Sequence, residues 1–319
     1  MGNILIKKTP AKINLTLDVT GKLENGYHTL SMIMQSIDIC DELSFEKTAD
    51  EAILFSMNKE LPDKIPAEKN LVYKAAKLMK DTFNIGNGFK IHLTKNIPAA
   101  AGLAGGSSDC AAAIIGINEI CDLGLDTEKL CEIGVKLGAD VPFCIKKGTM
   151  LAEGIGDVLT PLTPFSGVPV LLIKPDISIS TAYVYTHLDL NGLTYHPDNK
   201  AVIACLSEKE QDISDNKADT TDSTCVSEYT TYTNNLNINK IKKISALLSN
   251  VLETVTIPEN PIIDELKCYL IENGAAGSLM SGSGPTTFGL FEDMETAKKA
   301  YEKAKKDYPE FDVVLCRTM

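Results

Sequence analysis

A run of small residues in the first half of the chain has the composition of a phosphate-binding loop. Residues 98–109 read Pro-Ala-Ala-Ala-Gly-Leu-Ala-Gly-Gly-Ser-Ser-Asp and follow a strand pattern around Ile91. A phosphate chain needs backbone N–H groups that it can approach closely and the positive end of a helix dipole, and this segment offers both. Its spacing fits neither a Walker A loop nor a Rossmann loop. The alternative interpretation is a Gly- and Ala-rich turn that only permits close helix packing.

Two polar positions outside that loop could also carry chemistry. Lys12 and Asn14 share one face of a predicted half-buried strand, because apolar and polar residues alternate from Ile13 to Val19. Asp140 lies in the sequence Gly-Ala-Asp-Val-Pro at 138–142, directly after a predicted helix. Taken alone, Lys12 reads as a solvated strand lysine and Asp140 as a turn or capping residue.

A second glycine-rich run joins two predicted strands near the end of the chain. Residues 277–285 read Gly-Ser-Leu-Met-Ser-Gly-Ser-Gly-Pro. Taken alone, this run indicates only a turn that needs positive φ angles.

The elements that must position these residues follow from hydrophobic periodicity. In the first half, the patterns predict strands at 33–39, 43–45 and 89–93 and helices at 71–79, from Ser107 or Ser108 to Ile120, and at 130–137. From about residue 150 the pattern starts again. It predicts a strand at 168–173, helices at 240–252 and 261–273, strands at 276–280 and 286–291, a helix at 294–307 and a strand at 311–316. This order is a β-α-β-β-α-β, or split βαβ, arrangement, and it predicts two domains, 1–155 and 156–319.

The composition excludes several classes of protein. The chain has 319 residues, of which 44% are hydrophobic and 23% charged, which excludes a wholly disordered, collagen-like or coiled-coil protein. A net charge of -12 argues against nucleic acid as a partner. The longest uncharged run, 273–291, is rich in Gly and Ser, so we predict no membrane span or anchor. The nine cysteines form no CxxC pair, which favours reduced thiols and a cytoplasmic location.

A polar segment interrupts the second half. Residues 207–235 are rich in Ser, Thr, Asp and Asn and carry an excess of negative charge. Such a segment buries too little apolar surface to offset its ordering entropy, so we predict a mobile surface insertion, with an interaction segment as the alternative.

Three ordered motifs resemble those of the GHMP kinase superfamily. They are Pro-Ala-Lys-Ile-Asn-Leu at 10–15, the loop at 98–109, and Gly-Ser-Gly-Pro at 282–285. The family often has Gly where Ala104 stands, and Ala is small enough for the loop to persist. The resemblance implies an α+β, two-domain fold. An N-terminal domain like the ribosomal S5 domain 2 and a C-terminal ferredoxin-like domain would enclose an active site in the cleft between them.

Within that superfamily, the segments 25–28, 138–143 and 281–286 resemble the branch that phosphorylates a cytidine diphosphate-linked methylerythritol. The resemblance implies an enzyme of the non-mevalonate isoprenoid pathway that uses ATP and Mg²⁺ to phosphorylate the 2-hydroxyl of that small molecule. Asp140 would be the catalytic base, and Lys12 the cation that keeps it ionised. Ser108 is a candidate magnesium ligand, although most of the coordination would come from phosphates and water.

The resemblance also assigns the binding residues. The nucleotide would be held by Asn70, Lys95, Pro98, Ala99, Ala100, Ala101, Gly102, Leu103, Ala104, Gly105, Gly106, Ser107 and Ser108. Tyr27 and Tyr185 would sandwich the cytosine, and His28 would bind its edge. Asn14 and Thr181 would orient the methylerythritol hydroxyls. For Tyr27, His28 and Tyr185, ordinary packing or turn roles are the alternatives.

Two other functions remain open at the level of sequence. The chain could be another GHMP kinase, acting on homoserine, mevalonate or a sugar, or a non-catalytic sensor that binds nucleotide without turnover. The segments 25–28 and 138–142 argue against the first, and the presence of both Lys12 and Asp140 argues against the second. Either a monomer or a homodimer is compatible with the sequence.

Overall fold

Two β-sheets with helices packed on them form the described part of the chain. In this computed structural model the described residues are 4–59, 66–208 and 238–319. The polar segment predicted at 207–235 lies outside them, apart from its first two residues.

The first sheet is built around a long antiparallel pair of strands, β1 and β2. Its strand order is β3-β4-β2-β1-β8, with β5 paired to β2 and β6 to β5. The strands are β1 (Leu5–Lys22), β2 (His28–Thr48), β3 (Ile53–Met57), β4 (Gly88–Thr94), β5 (Thr149–Glu153), β6 (Val158–Pro161) and β8 (Ser249–Asn250). The separate strands predicted at 33–39 and 43–45 form the single strand β2. Pro10 of β1 pairs with Cys40 of β2, but the next residue, Ala11, pairs with Ile37. This register shift leaves extra residues in β2 and interrupts its alternation.

Strand β1 is confirmed, but the prediction that it is half-buried is wrong. Every residue from Thr9 to Val19 is buried, including Lys12 and Asn14 on the polar face. Ile13 and Leu15 on one face pack in a core shared with the second sheet, whereas Leu17 packs in the core of the first sheet. The polar side chains of β1 therefore face the protein interior rather than water.

The helices connect and cover the sheets. They are α1 (Leu71–Phe83), α2 (Gly105–Ile120), α3 (Thr127–Gly134), α4 (Val141–Lys146), α5 (Thr181–His187), α6 (Asn199–Ser207), α7 (238–246), α8 (Glu253–Glu259), α9 (Ile262–Glu272) and α10 (Met294–Asp307). None of these helices combines the length and the apolar character needed to cross a bilayer, within the residues described. The helix predicted at 240–252 ends at 246, because the chain then extends into β8.

Helix α2 begins earlier than predicted. It starts at Gly105, and the residue before it, Ala104, has a left-handed conformation with φ 55°. The predicted cap by Ser107 or Ser108 is wrong, because both serines lie within the first turns and no side chain caps the helix. The backbone N–H groups in the first turn of α2 therefore donate to no side chain of the capping residue.

The second sheet has the predicted split βαβ arrangement. Its strands are β7 (Pro169–Lys174), β9 (Gly277–Met280), β10 (Thr287–Leu290) and β11 (Asp312–Arg317), in the antiparallel order β11-β7-β10-β9. Helices α9 and α10 pack on one face of it. The other face contributes residues such as Val170 and Phe288 to the core that it shares with Ile13 of β1.

The chain crosses between the two sheets more than once. Strands β6 and β8 belong to the first sheet, although both lie beyond the predicted domain division at 155/156. Strand β8 pairs with β1 in parallel, at Thr16 and Leu17. The division at 155/156 stays a prediction about domains, and the hydrogen bonding of the sheets does not follow it.

Helix α2 packs so closely on β2 that one glycine there should be sensitive to substitution. A Cβ atom at Gly116 would lie 2.6 Å from the ring of Phe45, which is fully buried. We expect Gly116→Ala to lower the free energy of unfolding by about 1–3 kcal/mol, because the core must shift to make room. Urea denaturation measures this change. Gly86→Ala is the matched control, since nothing lies within 4 Å of that position, and equal midpoints for the two variants would contradict the prediction.

Candidate active site

The three motifs meet around one cavity of about 420 Å³ between the two sheets. The first motif lines it from β1, the second from the loop before α2, and the third from the turn after β9. The predicted site residues that line this cavity, called here the loop cavity, are Lys12, Asn14, Asn70, Lys95, Pro98, Ala99, Ala100, Ala101, Gly102, Ala104, Gly105, Gly106, Asp140, Thr181 and Tyr185. Residues that are far apart in sequence are thus brought to one place.

The glycine-rich loop is held against the turn of the third motif. The hydroxyl of Ser281 donates to the carbonyl of Gly102 at 3.1 Å. A Cβ atom at Gly102 would lie 2.2 Å from the carbonyl oxygen of Ser281, and its φ is +72°. Only glycine both adopts this positive φ readily and has no Cβ atom to clash with Ser281. Leu103 does not line the cavity: its side chain is buried, and its carbonyl accepts from the backbone N–H of Lys12 at 3.1 Å.

The two serines after the loop point in different directions. Ser107 lines a second cavity, described below. Ser108 is fully buried, and its hydroxyl donates to the carbonyl of Pro10 at 2.5 Å and lies 2.6 Å from that of Thr9. This hydroxyl is therefore directed to β1, which does not favour the predicted role of Ser108 as a magnesium ligand.

Lys12 and Asp140 line the same cavity and lie close enough for their charges to interact. Lys12 is only 5% exposed, and its Nζ donates to Oδ1 of Asn14 at 2.6 Å. Burial lowers the pKa of Lys12, while the nearby Asp140 carboxylate acts in the opposite direction. Asp140 precedes α4 but makes no capping hydrogen bond. Lys12 is therefore not a solvated strand lysine, whereas Asp140 does lie in the turn before α4, without capping that helix through its side chain.

A second cavity of about 570 Å³ adjoins the first. Asn25, Tyr27, His28 and Ser107 line it, and we call it the aromatic cavity. Asp140, Thr181 and Tyr185 line both cavities. Asp140 therefore lies where the two cavities meet.

The predicted sandwich pairs Tyr27 with Tyr185, but the ring that lies beside Tyr185 is that of His28. The rings of His28 and Tyr185 have centroids 5.4 Å apart and are tilted by 32°. Tyr27 lies at the rim and is 60% exposed. Burial lowers the pKa of His28, and Lys22 lowers it further. Burial also raises the pKa of Tyr185.

Thr181 and the third motif are linked directly. The hydroxyl oxygens of Thr181 and Ser283 are 2.8 Å apart. Asn250 of β8 supports the same turn, because its Nδ2 donates to the carbonyls of Met280 and Gly282 at 2.9 and 2.8 Å. Asn250 was not predicted, since a two-residue strand leaves no periodic signal in the sequence.

Lys95 and Asn70, both predicted near the adenine and ribose, line the loop cavity in different ways. The side chain of Asn70 caps α1 by accepting from the N–H of Val72 at 2.9 Å. Lys95 forms buried ion pairs with Asp41 and Asp109. Neither carboxylate was predicted as functional. Asp109 ends the loop motif, whereas Asp41 carries no local signal because its partners come from the segment that follows β4.

The donor groups of the loop cavity suit a nucleotide better than a bare metal ion. In the described stretches 4–59, 66–208 and 238–319, no group of three or more His, Cys, Asp or Glu side chains could hold a metal. Mg²⁺ binds readily through one or two carboxylates together with phosphates and water. Asp109 and Asp140 are carboxylates that line this cavity, so the residues fit a magnesium ion held largely by a polyphosphate.

Comparison with known proteins identifies two family domains in the chain. Residues 70–148 match the sequence model of the GHMP kinases N terminal domain, and residues 234–310 match that of the GHMP kinases C terminal.

Individual relatives cover nearly the whole chain. A 4-diphosphocytidyl-2-C-methyl-D-erythritol kinase of Clostridium perfringens (strain SM101 / Type A) is 41% identical over 313 residues, which are 98% of this chain and 97% of the relative. The protein of the same name from Acetivibrio thermocellus is 43% identical over 298 residues, covering 93% and 94% of the two chains. A crystal structure of 4-(cytidine 5'-diphospho)-2C-methyl-D-erythritol kinase aligns with a TM-score of 0.75 at 26% identity, over 98% of this chain and 99% of that one.

Proposed function

This chain belongs to the GHMP kinase family, and from that premise we propose that it transfers the γ-phosphoryl group of ATP to the 2-hydroxyl of 4-diphosphocytidyl-2-C-methyl-D-erythritol. The products are the 2-phosphate and ADP, a step of the non-mevalonate route to isoprenoid precursors. One observation supports this assignment above the others. Asp140 lies where a cavity lined by a phosphate loop meets a cavity lined by aromatic rings.

Asp140 and Lys12 would act on the hydroxyl. Asp140 accepts its proton as the oxygen attacks, and Lys12 stabilises the negative charge that develops nearby. Asn14 and the backbone contact to Leu103 hold Lys12 in place. Because Lys12 is buried, its charge is poorly screened by water and acts strongly on groups beside it.

The loop before α2 would hold the polyphosphate. Its glycines and alanines leave room for close approach, and the uncapped N-terminus of α2 presents N–H groups to an anion. ATP supplies the phosphoryl group and Mg²⁺ neutralises part of its charge. Asp109, the other carboxylate that lines this cavity, would hold the ion together with the phosphates.

The aromatic cavity would bind the cytidine end. A pyrimidine ring can stack on Tyr27 or Tyr185, because every base has a π-face. The lowered pKa of His28 favours its neutral imidazole, which can both donate and accept at the edge of a base. Thr181 and Asn14 remain candidates for orienting the methylerythritol hydroxyls between the two ends.

A cytoplasmic location is part of the same proposal. Eight free cysteines occur among the described residues. Thiols of this kind persist in a reducing compartment.

Release of ADP by the purified protein tests the proposed activity. The reaction contains magnesium-ATP and 4-diphosphocytidyl-2-C-methyl-D-erythritol, and parallel reactions contain homoserine, mevalonate or galactose. We expect turnover only with the cytidine compound. Turnover with one of the other alcohols would overturn the substrate assignment, and ATP binding without any turnover would favour the sensor function instead.

Substitution of Tyr27 should weaken the binding of the cytidine substrate but not that of ATP. We expect Tyr27→Ala to raise the KM for the cytidine substrate roughly tenfold to a hundredfold, because base–aromatic stacking contributes about 1–3 kcal/mol per base. The KM for ATP should stay unchanged. Steady-state kinetics with each substrate varied in turn measure both values. Tyr27→Phe keeps the ring and should behave like the wild type, and a KM effect confined to ATP would remove Tyr27 from the cytidine site.

A further inference from the structure

A β-bulge in β1 decides which side chains of that strand face the loop cavity. The register of β1 against β2 shifts between Asn14 and Thr16, and such a shift turns the side chains that follow it to the other face of the sheet. Lys12 and Asn14 line the loop cavity, as alternate residues of one strand should. The next residue of β1 to line it is Leu17 rather than Thr16. The bulge therefore lies directly beside the last polar residue that β1 contributes to the cavity.

The side chain of Asn199 holds this bulge. Oγ1 of Thr16 accepts from the backbone N–H of Ile33 at 2.9 Å, and the same hydroxyl donates to Oδ1 of Asn199. Nδ2 of Asn199 donates to Oγ of Ser31 in β2 at 2.8 Å. Thr16 is fully buried, so the loss of Asn199 would remove the acceptor of a buried hydroxyl proton, which is costly. One amide thus ties the bulge of β1 to the neighbouring strand.

Asn199 is the last residue of a short segment that contacts three neighbouring strands. The segment begins at Tyr195, whose hydroxyl donates to the backbone carbonyl of Asn250 in β8 at 3.2 Å. Nδ1 of His196 lies 2.8 Å from Oδ1 of Asp18 in β1. The amide of Asn199 then bonds to β1 and β2. Because these strands are adjacent in the order β2-β1-β8, the segment lies across this edge of the first sheet, and we call it the strap.

Within the strap, Asn199 is the residue best placed to position another side chain. Tyr195 and His196 are both exposed. Asn199 is the first residue of α6, in which Val202 and Leu206 are buried in the core shared by the two sheets. A side chain on an element anchored by packing has a defined position, which a side chain in an exposed loop lacks.

We propose that Asn199 is a positioning residue for the cytidine-linked substrate: through Thr16 it fixes the bulge of β1 and thereby directs Asn14 toward the methylerythritol hydroxyls. Because it concerns these hydroxyls, this role rests on the proposed function. Asn14 also accepts from Nζ of Lys12 at 2.6 Å, so a displaced Asn14 would disturb the cation that interacts with Asp140. A misplacement of about 1 Å can cost about a hundredfold in rate.

Steady-state kinetics of Asn199→Ala test this role. We expect kcat/KM for the cytidine substrate to fall about tenfold to a hundredfold. The KM for ATP should stay unchanged, because the loop at 98–109 and the start of α2 bond to β1 at Lys12 and at residues that precede it. Asn191→Ala removes the same amide from an exposed turn between α5 and the strap, and it should leave both constants at their wild-type values.

Variants of Thr16 test the route through which Asn199 acts. Thr16→Val keeps the branched shape of the side chain but lacks the hydroxyl, so it should lower kcat/KM for the cytidine substrate by about the same factor as Asn199→Ala. Thr16→Ser keeps the hydroxyl and should behave like the wild type. The double variant should be no worse than either single variant, because both changes remove the same interaction. The two Thr16 variants also decide the matter if Asn199→Ala folds poorly.

A purely stabilising role of Asn199 would give a different result. Asn199→Ala and Thr16→Val would then lower the midpoint of urea denaturation while kcat/KM in native buffer stayed at the wild-type value, and that outcome would overturn the positioning role. Additive effects of the two substitutions, or an equal change in the KM for ATP, would also overturn it. Absence of turnover of the cytidine compound by the wild type would overturn the proposed function as well, so the two failures can be told apart.

Discussion

Asp140→Asn is expected to lower kcat by about a thousandfold while the KM for ATP stays within about threefold of the wild-type value. A positioned general base contributes about 10²–10⁴ to a rate, and the amide keeps the shape of the side chain without its basicity. The carboxylate makes no capping hydrogen bond to α4, so its loss should leave the local structure intact. Single-turnover measurements with the cytidine substrate separate the chemical step from product release.

A surface aspartate provides the control for this result. Asp264 lies exposed on α9, and Asp264→Asn removes the same charge from a residue that lines neither cavity. Its kcat should equal that of the wild type. Near-normal turnover by Asp140→Asn would show that another group accepts the proton, and a loss that appeared mainly in the KM for ATP would make Asp140 a binding residue instead.

Lys12→Met should have the second-largest effect, a decrease in kcat of about a hundredfold to a thousandfold. Removing one preorganised electrostatic donor from a buried site typically costs that much. The free energy of unfolding should fall by at most about 1–3 kcal/mol, the cost of leaving Oδ1 of buried Asn14 without its donor, because Met fills a similar volume and needs no compensation for a buried charge. Steady-state kinetics and urea denaturation of the same preparation measure the two effects.

The pH dependence of the rate gives Lys12 a second, independent test. Burial lowers the pKa of Lys12 below its ordinary value of 10.5, with Asp140 opposing the shift. If the charged form of Lys12 is the active one, the rate should fall as the pH rises. The midpoint of this alkaline limb should lie at a lower pH than the pKa of an ordinary lysine. That limb should be missing in Lys12→Met. Lys8→Met, at an exposed position on the same strand, should keep both the limb and the rate.

The sequence predicted those parts of the fold and site that depend on local pattern. Strand β1, helix α1 and the split βαβ order follow from period-2 and period-3.6 signals within single segments. The loop at 98–109 could be predicted as a phosphate-binding candidate because its small residues are contiguous.

Features that depend on tertiary contacts could not be predicted in the same way. Alternation in β1 cannot reveal that its polar face is also covered, because the covering residues come from elsewhere in the chain. The pairing of Asp41 with Lys95 depends on the register of β2 against β4, in which Glu42 pairs with Thr94. Ala104 takes a left-handed conformation that alanine disfavours, so the true start of α2 had no sequence signal.

The return of the chain to the first sheet at β8 limits how such proteins can be recombined. Strand β8 pairs with β1, while its Asn250 holds the turn at 280–282 that lines the loop cavity. A hybrid that joined the first half of one relative to the second half of another would therefore place a foreign strand in the sheet and a foreign amide against the turn of the loop cavity. The pairing of β8 with β1 therefore couples the second half of the chain to the sheet that the first half builds.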